Sequence, residues 1–460
     1  MDRETCLSLL ADLSSLTFFC SLRKKPPVKN LEKLLRFLLS PGAGNPEICF
    51  RLWAAFVRSV ADTPSFSFRL AEYILEEENL FTLGAEKGSL SPRIKALAAS
   101  DFLRLQKIAS LDIKALALAL KEKIVSSGFA AGSPESAESL IYEAAALNMP
   151  LDPKAQGDDA DNMVLPQLSF GIETEAAWAG MENFAAWIAE NGAGLMGRFG
   201  CFRWVTGGGR EILEPVLDPD PVRFSDLSGY RAQLSLVIEN TRRFAEGKPA
   251  NNLLLYGDRG TGKSAAVKAS ANEFRTRGLR LIEIRKELLP ALPALMAALS
   301  GRGLKFIIFV DDLSFEVMDD SFTDIKALLE GGVERRPANT VIYATSNRRH
   351  LVREAGQERP LSGAPRDFDT LQGQLSLADR FGLTIIYASP DQEEFLEIAE
   401  FIACRRGILD KGDTSPEGEE RRSIFRENAL RWERWFNGRS PRTAVQYVDW
   451  IQGGEGFPWQ

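Results

Sequence analysis

Gly257, Gly260 and Gly262 stand in the string Gly257-Asp258-Arg259-Gly260-Thr261-Gly262-Lys263-Ser264, directly after the apolar run Leu253 to Tyr256. Residue types in this order can hold the phosphates of a nucleoside triphosphate. Consecutive backbone N–H groups form the cradle, and glycine lets the chain turn tightly and come close to an anion. Lys263 adds a point charge for the β and γ phosphates, and Ser264 offers a hydroxyl to Mg²⁺. The run from Ala265 to Ser270 begins a helix whose N-terminal dipole favours negative charge. Asp258, Arg259 and Thr261 complete the loop as cofactor-binding positions.

Two more elements belong with this loop. Phe306 to Val310 is a continuous apolar run, the pattern of a strand buried on both faces, and it ends in Asp311-Asp312. Ligands of open α/β sheets collect at the carboxyl ends of such strands. Asp311 is placed to hold Mg²⁺ through its water shell, and Asp312 to polarise an attacking water. Standing alone, the pair would equally fit a solvated acidic turn. Thr340 to Asn347 is another buried-strand run that ends in an amide. Asn347 can orient the lytic water or sense a γ-phosphate by hydrogen bonding.

A P-loop, an acidic strand end and a strand-end Asn in this order resemble the core of an AAA+ ATPase. Phe224-Ser-Asp-Leu-Ser-Gly-Tyr230 is similar to the segment that such proteins place against the adenine, which implicates Tyr230. Leu375 to Leu383 resembles the box that carries an arginine finger, making Arg380 the finger. Gly438-Arg-Ser-Pro-Arg442 resembles the sensor-2 motif of a helical lid, with Arg442 reaching the phosphates. The strings PANNLLLYGDRGTGKS, VDDLSFE, LEGGVE, YATSNRRHL, LADRFGLTI and SPRTAVQYV resemble one bacterial group still more closely, the uncharacterised DUF815 ATPases, over about residues 215 to 452. The likeness implies ATP and Mg²⁺ as cofactors and a trans finger within a homo-oligomer, but no substrate. Most AAA+ proteins have Glu where Asp312 stands, although initiator-type members use Asp-Asp, and Glu316 lies one helical turn on. Pro441 before Arg442 suits a first helical position.

The expected fold is α/β: a P-loop NTPase (AAA+) doubly wound parallel sheet with a C-terminal helical lid, preceded by an all-α N-terminal domain. The strands fall at LLLYG, LIEIR, FIIFV, TVIYAT and GLTIIYA, with helices between them. Residues 1–126 read as amphipathic helices separated by breakers, with no fixed repeat period. Residues 127–166 have the composition of a connector around a short helical stretch. Residues 167–217 read as a small α/β element: a helix, then a strand pair in which Phe199, Phe202 and Trp204 form either a small buried sheet packed on the core or a nucleic-acid stacking face. The core then spans 218–390 and the lid 391–460.

Composition narrows the function. The 460 residues carry a formal net charge of -7 with a pI near 5.3, which gives no electrostatic footprint for nucleic acid over the whole chain; a local basic patch stays open. No apolar run reaches the ~18 residues of a membrane span, and the N-terminal charge order is the reverse of a secretory signal. Five scattered cysteines suit a reduced compartment and small core positions, so a cytoplasmic protein is expected. His350 is the single histidine, so a mechanism built on a histidine pair, a metal-bound histidine cluster or a Ser-His triad is not expected. The expected function is hydrolysis of ATP to ADP and phosphate, driving a conformational or assembly change in an unidentified protein partner met by the helical N-terminal domain. The alternatives are an ATP-bound switch or scaffold with little hydrolysis, and a DNA-associated initiator or loader.

Overall fold

The computed structural model describes residues 1–42, 44–126, 134–147, 177–207, 209–313, 337–347, 381–410, 412–436 and 438–454. The chain divides into two compact units, Met1–Arg198 and Phe199–Gln460.

The first unit is helical: α1 (Arg3–Ser14), α2 (Pro26–Leu39), α3 (Pro46–Arg58), α4 (Phe66–Leu75), α5 (Leu80–Glu86), α6 (Pro92–Ala109), α7 (Ile113–Val125), α8 (Pro134–Ala146) and α9 (Ala177–Asn191). Local chemistry sets the starts. Proline stands in the first turn of α2, α3 and α6, where its missing N–H costs nothing. The run RLAEYILEEENLF, whose apolar spacing suits one helix, forms two. Asn79 accepts from the N–H groups of Phe81 and Thr82 while the Thr82 hydroxyl accepts from Asn79, a capping box that starts α5 anew. Phe102 joins Phe19 and Phe184 in the core, with ring centroids 5.8 and 5.6 Å away. Asp101, fully buried, accepts the N–H of Thr17 at 2.9 Å and of Phe18 at 2.7 Å and pairs with Arg104 at 3.2 Å. Trp53 is a core residue, and its indole N–H donates to Glu143 at 2.9 Å.

Two boundaries depart from the sequence reading. Leu140 and Ala144 of α8, the short helical stretch inside the expected connector 127–166, are fully buried in the helical core, because the apolar stripe of that stretch packs on α7. The element expected at 167–217 is divided: α9 packs in the first unit through Phe184, and the strand pair lies in the second.

That strand pair is β1 (Cys201–Gly207) and β2 (Arg210–Pro215), an antiparallel hairpin. It is not a separate sheet. β1 also pairs in parallel with β4 (Leu279–Ile284), giving one seven-stranded sheet in the order β2-β1-β4-β5-β6-β3-β7, with β3 (Leu253–Gly257), β5 (Lys305–Val310), β6 (Thr340–Ser346) and β7 (Leu383–Tyr387). Apart from the hairpin, every pairing among the described residues is parallel. Phe202 and Trp204 are buried, so they are unavailable to stack on bases. The five expected core strands all form. The cysteines depart in part: Cys6 and Cys49 are buried, whereas Cys20 is exposed.

Helices α10 (Arg231–Ala245), α11 (Lys263–Phe274) and α12 (Leu292–Ser300) belong to the core. α13 (Gln392–Arg405), α14 (Pro416–Trp435) and α15 (Pro441–Gln452) form the C-terminal lid around Phe395, Trp432 and Tyr447. The fold class is the expected one: a P-loop α/β sheet with a helical lid and a helical N-terminal region. No described helix is long and apolar enough to cross a membrane.

The sheet order places β3 between β6 and β7, so Gly257 ends its strand against Tyr387. A Cβ on Gly257, whose φ is +139°, would lie 2.0 Å from the Tyr387 carbonyl oxygen. Backbone cannot give way there. Gly257→Ala is expected to lose at least about 3 kcal/mol of stability, from the clash and the disallowed φ together. Urea unfolding checks this, and an unchanged midpoint would contradict the contact.

Candidate nucleotide site

The carboxyl ends of β3, β5 and β6 lie side by side, since Tyr256 is in register with Ser346 and Val310 with Ala344. Residues immediately after these ends therefore share one edge of the sheet. A cavity of about 1000 Å³ opens there, lined by Gly260 to Ser264, Asp311, Asp312, Asn347 and Arg442 on one side. Leu227, Tyr230, Ile398 and Phe401 line another part. Groups able to hold phosphates and apolar groups able to take a base thus line one space.

Lys263 is 4% exposed, and its ammonium donates to the carbonyls of Gly257 at 3.1 Å and Asp258 at 2.6 Å. Burial pushes its pKa down to about 8, Arg442 pushes the same way, and the carboxylates of Asp258, Asp311 and Asp312 oppose them. Thr261, almost wholly buried, donates to the Asp258 carbonyl at 2.8 Å and braces the loop from inside. The Asp258 carboxylate is turned to other work, accepting from Ser389 N–H at 2.9 Å. The Asp258 N–H donates to the Tyr387 carbonyl at 3.0 Å, and Asp258 is not among the residues that line the cavity. Arg259 lines the cavity and is exposed.

The acidic pair is held from several sides. Asp311 Oδ1 accepts from the hydroxyls of Ser264 at 2.7 Å and Thr345 at 2.5 Å. A hydroxyl and a carboxylate oxygen this close form a hard-oxygen donor set, of the kind that holds Mg²⁺ once phosphates and waters complete its shell. Ser264 and Asp311 therefore fit the ion. Asp312 is one of two described non-glycine residues at positive φ, at +52°. The Asn347 amide donates to Asp312 Oδ1 at 2.7 Å, so Asn347 is tied to the neighbouring acid.

Tyr230, the other positive-φ residue, precedes α10 and lines the cavity. Its hydroxyl donates to the Ala388 carbonyl at 2.7 Å, its ring lies 5.0 Å from that of Tyr387, and burial raises its pKa. On the lid, the Arg442 N–H donates to the Gly260 carbonyl at 3.1 Å. A Cβ on Gly260 would lie 3.0 Å from that of Arg442, so the absence of a side chain lets the lid meet the loop. Arg380 lies outside the described residues, as do Glu316 and His350.

Sequence reading missed two contributors. Arg405, in the last turn of α13, lines the cavity and bonds Ser225 O at 2.8 Å and the Asp226 carboxylate. Only the fold brings residues so far apart together. Thr345 had a local signal: it stands two positions before Asn347, and the two-residue period of a strand puts both on one face.

A model of the family described as "Protein of unknown function (DUF815)" matches residues 197–455. No curated protein matches the sequence. Among solved structures, a RuvB variant of Thermotoga maritima is similar at 15% identity and a TM-score of 0.33, covering 51% of this chain and 65% of that one. PCH-2 of C. elegans is similar at 15% identity and a TM-score of 0.34, with the same shares covered. This chain thus spans less than two thirds of the length of either.

The lowered pKa of Lys263 has a readable consequence. A polyanion beside the ammonium raises that pKa, so ligand binding takes up a proton wherever the free protein has lost one. Affinity for ATP is expected to be full below the free-protein value of about 8 and to fall as pH rises toward the ordinary lysine range of about 10.4. The sign for folding is the converse: the unfolded chain keeps this proton longer, so this group makes the free protein more stable as pH rises through the same window. Calorimetric titrations at neutral and alkaline pH, in buffers of different ionisation enthalpy, check it. Equal affinity and no proton uptake at alkaline pH would contradict it.

Proposed function

The chain belongs to the DUF815 family, and on that premise we propose that it binds Mg-ATP and hydrolyses it to ADP and phosphate, driving a conformational or assembly change in a protein partner. One observation carries the reading. Lys263, the Ser264–Asp311 pair and the Asp312–Asn347 pair, drawn from the ends of three adjacent strands, line a single cavity beside the lid.

Phosphoryl transfer to water asks a protein mainly for positioning and for stabilisation of charge on the transferring group. Backbone N–H groups from Gly260 to Lys263 and the Lys263 ammonium hold the phosphates, and Mg²⁺, held by Ser264 and Asp311, would supply further positive charge. Asp312 orients the attacking water through a carboxylate oxygen and draws off its proton. Asn347 fixes that carboxylate's rotation. Arg442, carried by the lid, faces the phosphates, and the apolar wall around Tyr230 takes the base. Arg380 from a neighbouring copy supplies the remaining positive charge, which makes the active form a homo-oligomer. The helical first unit meets the partner protein, and the whole is cytoplasmic.

A second reading, an ATP-bound switch with little hydrolysis, draws on the bond by which Asn347 already occupies Asp312 Oδ1. Turnover separates the two. Lys263→Ala is expected to abolish tight binding of a fluorescent ATP analogue while leaving the circular dichroism of the fold unchanged. Asp312→Asn is expected to keep Mg-ATP binding and to lower phosphate release by at least ~100-fold, the scale for losing a positioned base. Equal phosphate release by Asp312→Asn and a fully active wild type would remove Asp312 from its role, and a wild type that binds ATP without releasing phosphate would favour the switch.

Complementation tests the trans finger. Arg380→Ala has an intact pocket and Lys263→Ala an intact finger, so mixing the two inactive proteins is expected to restore part of the turnover. A finger is worth about 10³ to 10⁵ in rate, so even a small share of mixed contacts is measurable. Mixtures that co-sediment in ATP yet recover nothing would count against Arg380 acting between copies.

A further inference from the structure

Thr345 is 2% exposed, at the end of β6, and touches both acids through one oxygen. Its Oγ1 lies 2.5 Å from Asp311 Oδ1 and 2.9 Å from the Asp312 backbone nitrogen. A hydroxyl has one proton and two lone pairs. Since an ionised carboxylate only accepts, Thr345 must donate to Asp311, which leaves its oxygen to accept from the Asp312 N–H. The next residue is tied as well, because Leu313 N–H donates to the Thr345 carbonyl at 2.7 Å. Three consecutive residues are thus fastened to one side chain and its own backbone.

What these bonds hold is specific. Asp312 has a φ of +52°, a conformation that L residues avoid, and it persists only where surrounding bonds over-determine it. The hydroxyl that fixes the Asp312 N–H also fixes the carboxylate that meets Ser264. We propose that Thr345 is the positioning residue of the acidic pair, coupling the Mg²⁺-side carboxylate of Asp311 to the water-side carboxylate of Asp312. This rests on the Mg-ATP reading of the cavity. A Thr that served only the packing of β6 would need its shape and not its hydroxyl.

Thr345→Val keeps the shape and removes both bonds; Thr345→Ser keeps the hydroxyl. Two measurements are made on the full chain, with thermal melting to confirm folding: binding of a fluorescent ATP analogue across a Mg²⁺ titration, and phosphate release at saturating Mg²⁺. For Thr345→Val the Mg²⁺ concentration at half-binding is expected to rise at least ~5-fold, and kcat to fall at least ~10-fold with KM within ~3-fold, the pattern of an interaction needed in the transition state. Thr345→Ser is expected to stay within ~3-fold of the wild type in both. Wild-type behaviour of Thr345→Val, or equal losses in Val and Ser variants, overturns the proposal. If the Val variant does not fold, Thr345→Cys, with a weak thiol donor, is read in its place. A wild type that binds nucleotide without turning it over removes the hydrolytic reading alone, because the Mg²⁺ titration still decides Thr345. A wild type that binds no nucleotide overturns both.

Discussion

An ammonium group taken out of water must find oxygens, and Lys263 finds them in the loop that precedes it. With the side chain 4% exposed, its bonds to the carbonyls of Gly257 and Asp258 oblige the loop to curl around its own lysine. Peptide planarity then fixes the other side of the curl. In the Asp258–Arg259 peptide the N–H lies opposite the carbonyl and so points away from the ammonium. The rest of the site follows from the positions available around that curl: Gly257 pressed against β7, Ser264 against Asp311, and Gly260 against the lid.

The parts of this arrangement that were legible in the sequence are those set by local chemistry. Glycine spacing, an apolar run ending in two acids, and a strand ending in Asn each carry their meaning within a few residues. The sheet order then brings them together because parallel strands expose their carboxyl ends on one edge. What escaped the sequence depends on long-range pairing. Nothing local in Cys201–Gly207 says that it pairs with β4, which lies far along the chain, and the alternating pattern fits an independent hairpin equally well. The Arg405–Asp226 contact joins a lid helix to the segment before the core, which no periodicity announces. The short helix of Leu140 and Ala144 was legible, but the breakers on either side of it suggested a connector and hid its packing in the helical core.

The lid meets the loop through main chain. The Arg442 N–H bonds the Gly260 carbonyl while the Arg442 side chain remains exposed at the cavity. Ser440 caps the same helix by accepting from Thr443 N–H at 3.1 Å. Placement of α15 and the charge it presents are therefore separable: the cap and a backbone bond set where the helix starts, and the guanidinium is free to answer to a ligand. At Tyr230 the opposite holds, since that residue is fixed through its own hydroxyl and ring.

By extending the sheet beyond β4, the hairpin also relocates its border. β2 is the outermost strand there among the described residues, and an outermost strand offers unpaired N–H and C=O groups to any other chain in extended form. β2 is short, carries exposed Arg210, Glu211 and Glu214, and ends at Pro215. Each of these discourages a further strand, by like-charge repulsion, by desolvation or by a missing donor. β4, almost fully buried and carrying Leu279, Leu281, Ile282 and Ile284, would make an adhesive border if it stood last. The hairpin thus acts as a selvedge, finishing the sheet so that it does not grow by accretion.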